Sequence, residues 1–221
     1  MREHLICVGG TWREGRAGTM TAVSPSSGAS FAAVAVAGPA DVDDAVAAAG
    51  AAAPPWAALS AFDRAACCRG IAAAIDGRAE DLARALAEDQ GKPLAAEARD
   101  EVSELAEYFR MAAEDAVRLP GGAPPSTSPS RRVLTLRVPL GVVGVISPWN
   151  WPYTMGAELF APAMAAGNAV IWVPAPTTSA CCALLAEIIT GAGVPAGVFS
   201  FLPGPGPVAT EPMKPTACTP G

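Results

Sequence analysis

Asn150 carries the only side-chain amide in the run Ser147-Pro148-Trp149-Asn150-Trp151-Pro152. The two prolines stiffen that run, because a residue that precedes proline is driven out of the helical region into an extended conformation. An amide placed there has two uses. It can satisfy neighbouring backbone groups, as turn asparagines do, or it can donate its N–H groups to a ligand oxygen. Val142, Val143, Val145 and Ile146, punctuated by Gly141 and Gly144, come just before it. This β-branched run predicts a short strand buried on both faces. Asn150 would then lie at the carboxyl end of a strand, where open α/β sheets place their ligands.

Other reactive groups are sparse. His4 is the only histidine and falls in a predicted N-terminal strand, so a Ser-His-Asp or Cys-His site would have to be recruited there. The six cysteines include the adjacent pairs Cys67-Cys68 and Cys181-Cys182 and follow neither disulfide nor zinc spacing, so reduced thiols and no bound metal are expected. Cys181 and Cys182 are expected to be buried on a helix, and Cys218 sits in a tail, M-K-P-T-A-C-T-P-G, without the preorganised surroundings a nucleophile needs. Gly204-Pro205-Gly206-Pro207-Val208-Ala209 matches G-x-G-x-x-A after a predicted strand, but Pro205 and Pro207 lack the N–H groups that a phosphate cradle uses.

The elements that must position these residues follow from periodicity. Helix over 156–166, strand over 169–173, helix over 179–190 and strand over 198–202 continue a β-α-β alternation, which implies an α/β fold with a parallel sheet and flanking helices. Upstream, 5–12 reads as a strand turning at Gly9-Gly10, and 31–37 reads as another strand. Asp41 is expected to cap a helix that Pro54-Pro55 ends, and Ser60 with Asp63 opens the next, whose apolar face includes Phe62, Ile71 and Ile75. Leu82 and Leu86 mark a helix closed by Gly91. Ala98, Val102, Leu105, Phe109 and Ala112 mark the next, with Glu97 and Arg99 on its solvated face. Residues 120–129 compose a linker, after which 133–138 alternates as a half-exposed strand would.

Three of these runs, G-V-V-G-V-I-S-P-W-N-W-P (141–152), A-P-A-M-A-A-G-N-A-V-I (161–171) and L-L-A-E-I-I-T-G-A-G-V-P-A-G-V-F-S-F-L-P-G-P-G (184–206), resemble the aldehyde dehydrogenase superfamily in its NAD(P)-binding domain. D-Q-G-K-P-L-A-A-E-A-R-D-E-V at 89–102 extends the resemblance, which fades after about Glu211. It implies a Rossmann-like parallel sheet with flanking helices, NAD or NADP as cofactor and oxidation of a small-molecule aldehyde to a carboxylic acid. Asn150 would donate to the oxyanion formed when a cysteine thiolate attacks the aldehyde, a contact typically worth about 2.7–4 kcal/mol in the transition state. Ile146, Ser147, Pro148 and Trp149 would line the nicotinamide and ribose end of the cofactor cleft. Trp149 and Trp151 also read simply as core aromatics. The turn Val173-Pro174-Ala175-Pro176 would face the adenosine ribose, and Gly204 and Gly206 would lie beside the cleft. In the family that turn usually opens with lysine, and a second lysine often stands where this chain has Leu159. Val173 offers no such donor, so weaker cofactor binding and no residue basis for choosing between NAD and NADP follow. The family's nucleophilic cysteine, glutamate base and Gly-Ser-Thr phosphate loop come after the point where the resemblance stops. The expectation is a truncated chain, inactive alone; the alternative is a nucleotide-binding or non-catalytic interaction fragment.

Fifteen Lys+Arg against 21 Asp+Glu give a net charge of -6, which favours neither nucleic acid nor an anionic membrane as partner. No charge occurs between Glu158 and Glu187, but Pro162, Gly167, Asn168, Pro174 and Pro176 divide that stretch into pieces too short to cross a bilayer. Glu3 and His4 interrupt any secretory signal at once, so a cytoplasmic location is expected. The expected organisation is 1–120 for N-terminal strands and a helical layer, 121–138 for a linker and arm strand, 139–211 for a βαβαβ core and 212–221 for an unrelated proline-rich tail. The resemblance implies that the arm serves a homo-oligomer in the full-length family member.

Overall fold

A computed structural model describes residues 1–206. The chain begins with short strands β1 (Arg2–His4), β2 (Ile6–Val8), β3 (Thr11–Arg13), β4 (Thr19–Val23) and β5 (Ser30–Ala35). Helices α1 (Pro39–Ala58), α2 (Ala61–Gly77), α3 (Ala79–Gln90) and α4 (Arg99–Ala116) follow, the last entered through a π-helical turn at Leu94–Ala98. The second half alternates as its sequence predicts: β6 (Val142–Ile146), α5 (Thr154–Ala165), β7 (Ala169–Val173), α6 (Ser179–Gly191) and β8 (Phe199–Phe201).

The larger sheet has the order β3-β2-β8-β7-β6. Strands β6, β7 and β8 are parallel, whereas β2 pairs antiparallel with β8 and with β3, so the sheet is mixed rather than wholly parallel. The N-terminal hairpin at Gly9-Gly10 returns too tightly for a parallel crossover, and it is this hairpin that extends the sheet antiparallel. A second, three-stranded sheet joins β1, β5 and β4. Alternate residues of β7 serve opposite faces. Val170 and Trp172 pack with α2 to α6, while Ala169, Ile171 and Val173 pack with the α1 residues Val42, Ala45, Ala49 and Ala53. β7 is therefore the doubly buried strand. β6 lies at the sheet edge with only Val145 buried, against the expectation that it would be covered on both faces.

Further corrections concern the helices and the arm. α1 begins at Pro39, suited to the first helical turn by its fixed φ, with Gly38 as cap. Asp41 lies inside that turn, and its carboxylate accepts from the Gly38 and Arg16 backbone N–H groups, each at 2.8 Å. Pro54 and Pro55 do not end α1. The carbonyls they leave without donors belong to Gly50 and Ala51, which are exposed to water, and the Trp56 indole donates to the Met164 carbonyl at 2.9 Å to hold the last turn down. Phe62 points to solvent, 70 % exposed, while Ile71 and Ile75 are fully buried. Ser60 caps α2 by accepting from the Asp63 N–H, and Gly91 closes α3 in the left-handed conformation, both as expected. Residues 133–138 form no strand; only an isolated Gly122–Thr135 bridge ties them to the linker, and Leu134, Leu136 and Val138 are more than 70 % exposed. Among the described residues no single helix is long and apolar enough to cross a membrane.

Candidate active site at the strand tips

Because β6 and β7 are parallel with Ile146 opposite Val173, the turns that follow them lie side by side. Ser147 N–H donates to the Val173 carbonyl at 3.2 Å, and Leu202 N–H donates to the Trp172 carbonyl at 2.9 Å, which brings the segment after β8 to the same end of the sheet. The turns 147–152 and 173–176 and the segment 203–206 thus all follow the carboxyl ends of three neighbouring parallel strands.

Their side chains divide into outward and inward sets. Ile146 and Trp149 are 45 % and 61 % exposed and present apolar surface at the tip of β6. Asn150 is exposed, and its side chain makes no hydrogen bond among the described residues. Pro148 is half-buried. Ser147 turns inward: it is buried, and its Oγ accepts from the Trp172 indole N–H at 2.9 Å. Any contact it offers a ligand is left to its backbone. Val173 and Pro174 are buried, Ala175 is half-buried and Pro176 exposed, so this turn presents no side-chain donor. Gly204 is buried and Gly206 exposed. A Cβ on Gly206 would meet nothing within 4 Å, so crowding does not demand glycine there. Pro207, Val208, Ala209, the 212–221 tail and Cys218 lie outside the described residues. A cleft of about 360 Å³ opens beside the site, lined in part by Val23, Asp89, Gln90, Trp149, Pro176 and Thr178.

The residues that aim the turn are ones that periodicity does not single out. Gln90 Nε2 donates to the carbonyls of Trp149, at 2.9 Å, and Asn150, at 2.7 Å. Lys92, buried, donates to the Asn150 carbonyl at 3.1 Å and to Glu101 Oε2 at 2.6 Å, and its ammonium stands 3.8 Å from the centre of the Trp151 ring. Glu101, wholly buried, accepts the Tyr153 N–H at 2.9 Å on its other oxygen. Tyr153 is itself interior, its hydroxyl donating to the Leu82 carbonyl at 3.1 Å. Gln90, Lys92 and Glu101 all fall in the 89–102 run, and a buried lysine is the signal that only tertiary structure exposes. Glu97 and Arg99, by contrast, are on the solvated face as expected, with Arg99 paired to Glu80 at 3.0 Å.

None of the described thiols suits nucleophilic attack at this turn. Burial pushes Cys7 up to about 11 and Cys68 up to about 12, and raises Cys67 as well. Cys181 and Cys182 lie inside α6, where burial raises both thiols. The Cys181 backbone N–H is held by Asp89 Oδ2 at 2.8 Å. Burial also raises the Asp89 carboxyl, against the lowering effect of that N–H.

Known proteins resemble this chain in both sequence and fold. Residues 12–216 match the profile of the aldehyde dehydrogenase family. Glutarate-semialdehyde dehydrogenase of Pseudomonas putida KT2440 is 35 % identical over 198 residues, 89 % of this chain and 41 % of that protein. Succinate-semialdehyde dehydrogenase [NADP(+)] GabD of Escherichia coli K12 shares 35 % over the same fractions. The crystal structure of PnpE in complex with nicotinamide adenine dinucleotide superposes with a TM-score of 0.88 at 33 % identity, over 92 % of this chain and 42 % of that one. The chain spans about two fifths of the length of these relatives.

Proposed function

This chain belongs to the aldehyde dehydrogenase family, and from that premise we propose that it forms the cofactor side of a site oxidising a small-molecule aldehyde to a carboxylic acid with NAD or NADP. One observation carries the reading. Asn150 has its backbone carbonyl gripped by two side chains while its amide is left exposed and unbonded at the strand tips. A donor carried on a held backbone loses little on meeting a developing oxyanion, because its Cα is placed before the reaction begins. The exposed apolar faces of Ile146 and Trp149 suit the flat nicotinamide end of the cofactor. Pro148 shapes that wall, and Ser147 contributes backbone alone. The turn Val173-Pro174-Ala175-Pro176 with Gly204 and Gly206 flanks the adenosine end by backbone, without a charged side chain to select NAD over NADP.

When bound, the nicotinamide supplies the hydride acceptor. Asn150 donates an N–H to the aldehyde oxygen as negative charge grows on it. The turn keeps that donor at the strand tips, next to the cleft that Trp149 lines. The nucleophilic thiolate is supplied by none of the five described cysteines, each held protonated near neutral pH by burial. Residues 1–206 are therefore expected to bind cofactor without supplying the nucleophile for turnover. A second reading, a non-catalytic interaction fragment, draws on the donor-free Val173 turn, which weakens any hold on the cofactor. Exposed Leu134, Leu136, Val138 and Leu140 favour a homo-oligomer built through this arm, and the acidic composition favours the cytoplasm.

Titration calorimetry with NAD+ and NADP+, alongside an aldehyde oxidation assay on the pure chain, tests this. Measurable cofactor heat without oxidation is the expected result. No heat at millimolar cofactor sinks the cofactor reading, and steady oxidation abolished by Asn150→Ala refutes the claim that this chain does not turn over.

A further inference from the structure

Lys92 has three ammonium hydrogens, and the structure gives each a partner: Glu101 Oε2 at 2.6 Å, the Asn150 carbonyl at 3.1 Å and the face of Trp151 at 3.8 Å. Two of the three partners belong to the turn. Glu101 divides itself in the same way, with one oxygen on Lys92 and the other on the Tyr153 N–H at 2.9 Å. A single buried ion pair thus holds the turn on both sides of Pro152, by the carbonyl of Asn150 and by the amide of Tyr153. Stability alone gives little reason for such a pair, since well-packed apolar residues of similar volume serve a core as well or better. What the charges add is direction. The ammonium attracts a carbonyl oxygen and the carboxylate an N–H, so the peptide planes flanking Asn150 and Pro152 cannot flip without breaking a charge-assisted hydrogen bond.

We propose that the Lys92–Glu101 pair positions Asn150, fixing the backbone from 150 to 153 so that the Asn150 side chain leaves the turn in one direction at the strand tips. Neither residue touches the reacting atoms; both act through the turn. The proposal deepens, and rests on, the reading of Asn150 as the carbonyl-oxygen donor at the nicotinamide end.

The sequence supplies a convenient probe, because Asn150 and Asn168 are its only asparagines. Asn168 is tied independently, accepting from the Leu140 and Gly141 N–H groups and donating to the Ala163 carbonyl. A chain labelled with 15N-asparagine therefore gives one reporting residue and one internal reference. Lys92→Met strands the Glu101 charge and risks unfolding, so the measurement is also made on Lys92→Met/Glu101→Gln, whose glutamine oxygen can still accept from the Tyr153 N–H. In the double variant the Asn150 signals are expected to broaden or split while those of Asn168 stay in place. The NADH dissociation constant, read by nicotinamide fluorescence, is expected to rise about ten-fold as the turn that carries the Trp149 face beside the nicotinamide loosens. A single sharp Asn150 set at wild-type shifts in the folded double variant overturns the proposal. A double variant that does not fold overturns it as well, since the pair would then hold the fold rather than the turn. Split Asn150 signals with unchanged NADH affinity support the positioning and instead refute the placement of this turn at the nicotinamide.

Discussion

Gly156 lies in the first turn of α5, and the same change, glycine to alanine, has opposite consequences there and at Gly70 in α2. A Cβ on Gly156 would stand 2.8 Å from Phe160 Cε1 and 3.2 and 3.3 Å from Trp172 Cζ2 and Cε2. Neither ring has room to retreat. Phe160 meets Trp172 and Phe199 edge-on at centroid distances of 5.1 and 5.5 Å, and Trp172 is further held by Phe201 at 5.4 Å and by its bond to Ser147 Oγ. Helix propensity returns at most about 1 kcal/mol for the substitution, whereas overpacking a filled core costs about 1–3 kcal/mol. With two immobile rings in the way the upper part of that range applies, and Gly156→Ala is expected to lose about 1–2 kcal/mol net. At Gly70 the new methyl would meet only the Ala192 carbonyl at 3.7 Å, an ordinary contact, so the propensity gain of up to about 1 kcal/mol survives. Urea unfolding followed by far-ultraviolet circular dichroism separates the two, provided the m values match wild type. Should Gly156→Ala prove as stable as wild type, the aromatic cluster yields where it is argued to be rigid. The account of Trp172 as a fixed post behind the Ser147 turn would fall with it.

Asn150→Ala should change stability by no more than about 0.5 kcal/mol, because its side chain is exposed and unbonded, whereas Ser147→Ala leaves the buried Trp172 indole N–H without an acceptor and should cost about 1–3 kcal/mol. Urea midpoints for the two variants check the contrast, and equal losses would refute it. Burial pushes the Asp41 carboxyl up, but the Gly38 and Arg16 N–H groups and the Arg13 guanidinium outweigh it and hold the group below its ordinary 3.8. A depressed folded pKa stabilises above the unfolded value and is lost as pH falls through the folded one. Asp41→Asn should therefore melt lower than wild type at pH 7, with the gap closing below about pH 4; a gap that widens on acidification contradicts the assignment. Finally, iodoacetamide at pH 8 should leave Cys7, Cys68, Cys181 and Cys182 unmodified in the folded chain, as peptide mapping by mass spectrometry would show, since burial keeps them as thiols.

Where hydrophobic period and local punctuation decide a structure, the sequence is enough to read it. β7 is found over the very residues predicted, α6 differs by one residue at its end, and Ser60 and Gly91 cap their helices because capping depends on near neighbours. The failures are those in which a distant group outweighs a local preference. Pro54 and Pro55 break α1 on local rules, yet Trp56 bonded to Met164, far along the chain, keeps the last turn helical. Phe62 fits an apolar face by spacing, and no element among the described residues comes to cover it. The run 133–138 has the alternation of a strand and finds no partner strand among the described residues, because ladder bonds need a second chain segment that spacing cannot supply. At the site, the turn and its asparagine are legible, while Lys92 and Glu101 are not, since their role depends on burial and on a contact 58 residues away.

That division bears on how the amide is aimed. Pro148 and Pro152 restrict the residues before them, Ser147 and Trp151, to extended backbone but leave the peptide between Trp149 and Asn150 free to rotate. The carbonyl of that peptide and the carbonyl of the next, those of Trp149 and Asn150, are held instead, and their donors come from the end of α3 and the segment just beyond. The ion pair behind those donors reaches into α4 and the start of α5. The orientation of Asn150 is thus a property of four packed segments rather than of a short motif. An isolated peptide spanning the motif would keep the prolines and lose the aim, and any change that loosens α3 against α4 reaches the strand tips without touching a residue of the turn.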